Sequence, residues 1–167
     1  MKKLKYVFYG LGLLLLAANC TKKDPLPDAT QQGLNTFGCK IDGVAWIPNG
    51  TSGPGGTKPT RASISPSGTF RISANSPQYL LTINIQKLNS NNIGEYNIGN
   101  TDNDFGYLGN NDTSFITNKD YLGKVTITKI DTINQIASGT FYFQAKDRKS
   151  QNIAEITGGR FDVIYVK

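Results

Sequence analysis

Apolar and polar residues alternate one for one along several stretches of this chain. Leu81, Ile83 and Ile85 are separated by Thr82 and Asn84, Val125 and Ile127 sit among Lys124, Thr126 and Thr128, and Phe141, Phe143 and Ala145 repeat the pattern. Successive side chains of a strand point to opposite faces, so this spacing belongs to half-buried β-strands; a helix would place its apolar residues three and four apart. The segments between are rich in glycine, asparagine, serine and threonine, which punctuate strands with turns. The expectation is all-β: a single antiparallel β-sandwich or flattened β-barrel of about 8–10 strands.

Turn chemistry fixes some of the register. Asp42-Gly43, between Phe37-Gly38-Cys39-Lys40-Ile41 and Val44-Ala45-Trp46, is a two-residue hairpin signal. It sets Ile41 opposite Val44 and Cys39 opposite Trp46, with Cys39 buried beside the indole. Pro66-Ser67-Gly68 turns a second hairpin, from Thr60 to Ala74, that sets Ile64 opposite Phe70. A last hairpin is expected at Gly158-Gly159, which would set Ile156 opposite Phe161, Ala154 opposite Val163 and Glu155 opposite Asp162, with Tyr165 continuing the inward face.

The amino terminus obeys other rules. Lys2, Lys3 and Lys5 precede an apolar, leucine-rich run from Tyr6 to Ala18, the arrangement of a signal peptide, and the run falls short of the ~20 apolar residues that span a bilayer. Leu16-Ala17-Ala18-Asn19-Cys20 resembles a lipobox, so residues 1–19 are expected to be a lipoprotein signal peptide and Cys20 the lipidation site. Residues 20–35, with Pro25 and Pro27 and little to bury, are expected to form a flexible tether, and residues 36–167 the folded domain. The expected location is the cell envelope, anchored to the outer membrane by lipid on Cys20. Thr21-Lys22-Lys23-Asp24 loosely resembles a signal for export to the cell surface.

Loss of the three signal-peptide lysines lowers the formal charge from +6 to +3. The remaining basic residues are scattered, without the clustered stripe and stacking aromatics of a nucleic-acid binder, and no nucleic-acid partner is expected. Lipidation of Cys20 would leave Cys39 as the one free thiol, with no intramolecular disulfide. The chain contains no histidine, which removes the commonest general base and most zinc and iron sites.

Asn35-Thr36-Phe37-Gly38-Cys39 through Trp46-Ile47-Pro48, the segment Gly123 to Asp131, Ser138-Gly139-Thr140-Phe141, and Gly159-Arg160-Phe161-Asp162 together resemble a family of Bacteroidota lipoproteins whose domain has no known function. The resemblance implies the compartment and the fold. It brings no activity, cofactor or catalytic residue.

Candidate chemistry is therefore sparse. Glu155 and Asp162, opposed in the expected hairpin, would be a like-charge pair relieved by Arg160; a glycosidase pair would need both carboxyls facing one cleft. Asn100-Thr101-Asp102-Asn103-Asp104 gathers oxygen ligands, but an EF-hand loop needs glycine sixth and glutamate twelfth, where Phe105 and Asn111 stand. A hydrated turn with no metal is the better reading. The stretch from Leu88 to Lys119 reads as a long polar loop carrying aromatics, with Tyr96 and Phe115 as core candidates. Phe105 and Tyr107 as stacking platforms, with Asp102 and Asp104 at sugar hydroxyls, are the candidate binding residues.

Two functions stay open: a non-catalytic binding or structural module for a glycan or envelope protein, and a small-ligand carrier with an interior pocket. A glycan-processing enzyme is a distant third, and no cofactor is expected. A carrier requires an apolar cavity of roughly 300 Å³ or more, whereas a surface binder has a filled core.

Overall fold

In the computed structural model, residues 24–50, 55–56, 58–88 and 93–167 are described. The expected signal peptide and Cys20 lie outside them. Eleven strands follow in order: β1 (Thr36–Ile41), β2 (Val44–Trp46), β3 (Thr60–Ile64), β4 (Phe70–Asn75), β5 (Leu80–Ile85), β6 (Gly94–Ile98), β7 (Phe105–Gly109), β8 (Ser114–Ile116), β9 (Gly123–Asp131), β10 (Ile136–Asp147) and β11 (Ile153–Val166). No helix occurs among the described residues.

The strands run β2-β1-β11-β3-β4-β5-β7-β8-β10-β9-β6, and β10 also pairs with β11, which closes a ring of seven. The ring is flattened, because two long strands serve as corners. The carboxyl end of β11 leaves β1 and pairs with β3 at Tyr165↔Ala62, and this pairing is parallel, not antiparallel. The end of β10 leaves β9 and pairs with β8 at Lys146↔Ile116. The result is two layers, β2-β1-β11-β10-β9-β6 and β3-β4-β5-β7-β8, joined at the corners.

Alternation puts Phe37, Val125, Ile127, Phe141, Phe143 and Phe161 on the inner side of the first layer and Phe70, Ile72, Leu81, Ile83 and Leu108 on that of the second, all buried. The rings interlock: Phe70 meets Phe161 across the layers at 5.8 Å between centroids, and Phe141 lies 5.1 Å from Phe37 and 6.4 Å from Phe161. Cys39 pairs with Trp46 as the Asp42-Gly43 turn requires, and both are buried. Trp46 Nε1 donates to Ser76 Oγ at 3.1 Å. The second hairpin likewise has Ile64 opposite Phe70.

The expected hairpin at Gly158-Gly159 does not form. The two glycines lie inside β11, which continues for 14 residues, and the chain reverses earlier, where the Asp147 amide donates to the Asn152 carbonyl. Gly158 has φ +58° and sits at a bulge where the register against β10 shifts between Phe141↔Gly159 and Phe143↔Ile156. Left-handed backbone serves a bulge as well as a turn. Gly159 gives room to the Phe141 ring, which would lie 2.5 Å from a Cβ there. Glu155 therefore pairs with Gln144, and Asp162 with Ser138 and Thr36.

Residues 24–35, expected as tether, are bound down instead. They form a strap across the outer side of the first layer. Leu26 is 4% exposed, and Pro27 packs so close to Gly38 that a Cβ there would meet its Cδ at 2.7 Å. At the far end, Asn35 Oδ1 accepts from the Ile164 amide at 3.0 Å.

Candidate functional site

Asp162 points to the outer side of β11, yet it is fully buried, because the strap covers it. Its carboxylate accepts from the Thr30 hydroxyl at 2.6 Å, from the amides of Gln32, Gly33 and Leu34 at 3.0, 2.8 and 3.2 Å, and from the Ser138 hydroxyl at 2.8 Å. Burial pushes its pKa up, but the Thr30 hydroxyl, the Gly33 amide, the Ser138 hydroxyl and the Gln32 amide outweigh it and bring the value down to about 2. Arg160, expected to balance a Glu155–Asp162 pair, bonds instead to Asp24 at the start of the strap. Asp162 is thus a clasp with no access to a substrate, and the two carboxylates share no cleft.

The loop expected from Leu88 to Lys119 contains three short strands, and Phe105 and Tyr107 belong to β7. They point to the outer side of the second layer, Phe105 beside Asn84 and Tyr107 beside Thr82. Their Cα atoms are about 7 Å apart along the strand, by the two-residue repeat, and the Tyr107 ring leans over Gly109. The alternation of β7 is hidden in sequence because one inward position is Gly106, where a Cβ would lie 2.9 Å from the Phe143 ring.

Tyr107 lines a cleft of about 270 Å³ with Ser76, Gln78, Tyr79, Asn110 and Asn111. The β4–β5 turn supplies Ser76 to Tyr79, held where the Ser76 amide donates to the Tyr79 carbonyl at 2.9 Å. The β7–β8 turn supplies the asparagines, with Asn110 Oδ1 accepting from the amides of Asp112 and Thr113 at 2.9 and 2.8 Å. The Tyr107 ring and a set of side-chain amides therefore converge at one end of the second layer, while the Tyr79 side chain packs against the hydrophobic core. Tyr79 and Gln78 carry no motif, and only the packing of two turns brings them to Tyr107.

Asp102 and Asp104 do not join this cleft. Asp102 is exposed on the turn before β7. Asp104 is engaged as a turn clamp, accepting from the Gln86 amide at 2.7 Å and the Thr101 hydroxyl at 2.8 Å, and it lines a separate depression with Lys87, Glu95 and Asn97. Cys39, expected to be buried and inert, is fully enclosed, and burial pushes its thiol up to about 12.

A family model described as a domain of unknown function, DUF6252, matches residues 56–164. The chain belongs to this family. The DUF6252 match takes in β3 to β10, most of β11 and the Tyr79–Tyr107 cleft, while the strap and the β1–β2 hairpin precede it. Comparison with curated proteins and with solved structures finds no significant match.

Proposed function

We propose that this DUF6252 protein is a lipid-anchored, non-catalytic binding module of the cell envelope. Cys20 carries the lipid, the outer membrane holds it, and the Tyr79–Tyr107 cleft takes a glycan or an envelope protein that displays hydroxyl and amide groups. An origin among Bacteroidota lipoproteins is supported by the motifs at residues 35–48, 123–131, 138–141 and 159–162, and the export signal by the residues around Cys20.

One observation carries the choice of binder over carrier: the space between the layers is occupied by the packed rings of Phe37, Phe70, Phe141 and Phe161. The largest cleft described, about 690 Å³, lies outside that core, between Asn35, Pro59, Thr60, Ile164 and Val166. The Tyr79–Tyr107 cleft has what a pyranose uses, an aromatic ring in Tyr107 and amides for its hydroxyls.

Two measurements test the proposal. Fatty-acid probe labelling should mark the wild-type chain and not Cys20→Ala, in which the signal peptide should also remain uncleaved. Glycan-array screening of the soluble chain should give hits that Tyr107→Ala abolishes. Label on the Cys20→Ala chain, or binding indifferent to Tyr107, would reject the corresponding half.

A further inference from the structure

Had residues 20–35 been free, a lipid on Cys20 would hold the domain on a leash of roughly 50 Å at full extension. The docked strap shortens it. Its first described residue, Asp24, bonds to Arg160 on the outer side of β11, and only four residue steps, at most roughly 14 Å, separate Asp24 from Cys20. That leaves the outer side of the first layer within reach of the bilayer. The second layer lies about 10 Å beyond, with its own side chains further out.

We propose that the outer side of the β1-β11-β10-β9 layer is a membrane-contact face that meets the lipid headgroups, and that the Tyr79–Tyr107 cleft consequently opens away from the bilayer. The inference rests on lipidation of Cys20. Three further observations support it. Lys40 on the face and Lys22 and Lys23 in the four-step span from Cys20 are basic, while Lys124 pairs with Glu95 and Arg160 with Asp24. Tyr142, half exposed between the strands that bear Lys124 and Arg160, is an aromatic of the type that settles at headgroup level. Beside the strap, a groove of about 440 Å³ lined by Ala29, Glu95, Lys124, Thr126, Tyr142 and Arg160 offers room for a headgroup.

Around the ring, β10 and β11 stand opposite β4 and β5, so the two faces cannot both touch one flat surface. The docked strap decides which one does. Asp162 holds residues 30–34 and Arg160 holds Asp24, and these attachments sit on the same side of the sandwich.

The test uses the full lipidated chain in vesicles of phosphatidylethanolamine and phosphatidylglycerol that carry a headgroup spin label. A fluorophore is attached at Tyr142→Cys or, on the opposite layer, at Arg71→Cys; the buried Cys39 thiol takes no label. Quenching several-fold stronger at position 142 than at position 71 is expected, and equal or reversed quenching overturns the proposal. Inserting a long Gly/Ser segment between Lys23 and Asp24 leaves the strap docked and should erase the difference; a difference that persists shows that reach does not set the orientation. A purified chain without lipid by mass, which does not stay with the vesicles, refutes the anchor itself and is told apart from an anchored domain that lies the wrong way.

Discussion

The Thr30 hydroxyl and the Asp162 carboxylate, 132 positions apart in sequence, meet in a 2.6 Å hydrogen bond that seals the amino-terminal strap onto the last strand. The same carboxylate takes three consecutive amides of the strap, Gln32 to Leu34. Asp162→Asn keeps the shape but removes the charge and one acceptor, leaving buried donors unmatched. A loss of about 2–4 kcal/mol in denaturant unfolding is expected, together with faster proteolytic cleavage within residues 24–35. A loss below about 1 kcal/mol with unchanged cleavage would show that the clasp is dispensable.

Asp162 also sets an acid limit. Its folded pKa, about 2, lies below the ordinary carboxylate value of 3.8, so the native state binds its proton more weakly than the unfolded chain does. The stabilisation is complete above about pH 4 and is lost as pH falls toward 2, an effect of about 2–3 kcal/mol. Unfolding free energies measured from pH 5 to pH 2 should fall over that window in the wild-type protein, and less steeply in Asp162→Asn.

Trp46 closes one end of the core, edge-on to Phe37 at 6.2 Å. Trp46→Ala should destabilise the domain by about 3–5 kcal/mol. Trp46→Phe, which retains most of the apolar bulk but not the bond to Ser76, should cost less than Trp46→Ala. Equal losses would assign the residue's effect to the hydrogen bond alone.

A thiol pKa of about 12 leaves Cys39 essentially without thiolate at neutral pH. Alkylation by iodoacetamide should be negligible in the native protein and should appear with unfolding. Rapid native labelling at position 39 would mean that the β1–β2 hairpin opens far more often than its burial implies.

Tyr107→Ala and Phe105→Ala remove rings on the outer side of β7, away from the interlayer core. Each should lower the melting temperature only slightly while weakening glycan binding, Tyr107 more than Phe105 because it lines the cleft with Tyr79. Millimolar calcium should leave the melting temperature unchanged, since Asp104 is occupied by the Gln86 amide and the Thr101 hydroxyl. A calcium-induced rise abolished by Asp102→Asn with Asp104→Asn would reverse that assignment.

Where apolar residues fill the inward positions, the sequence shows its strands directly. The Cys39–Trp46 and Ile64–Phe70 registers follow from turn chemistry alone. Where an inward position is glycine, alternation disappears: Gly106 and Gly159 make space for Phe143 and Phe141, so β7 reads as loop and β11 reads as a hairpin. The strap was hidden for another reason. It has few apolar residues, and its attachment depends on Asp162, whose acceptor role becomes visible only when the two ends of the chain are brought together. Tyr107 was legible as an exposed aromatic, but Tyr79 was not, because their proximity comes from the β4–β5 and β7–β8 turns packing side by side.

The double duty of β11 has a kinetic consequence. This strand pairs with β1 along one part of its edge, with β3 along another, and with β10 on its other side, so closure of the ring awaits β11. Loop-closure entropy between such distant partners must be overcome before these pairings contribute, which makes folding slow and late. A nascent chain ending before Ile153 leaves β1 with β2 as its partner and joins its layers at the β10 corner alone. The seven-strand ring would remain open until β11 is made.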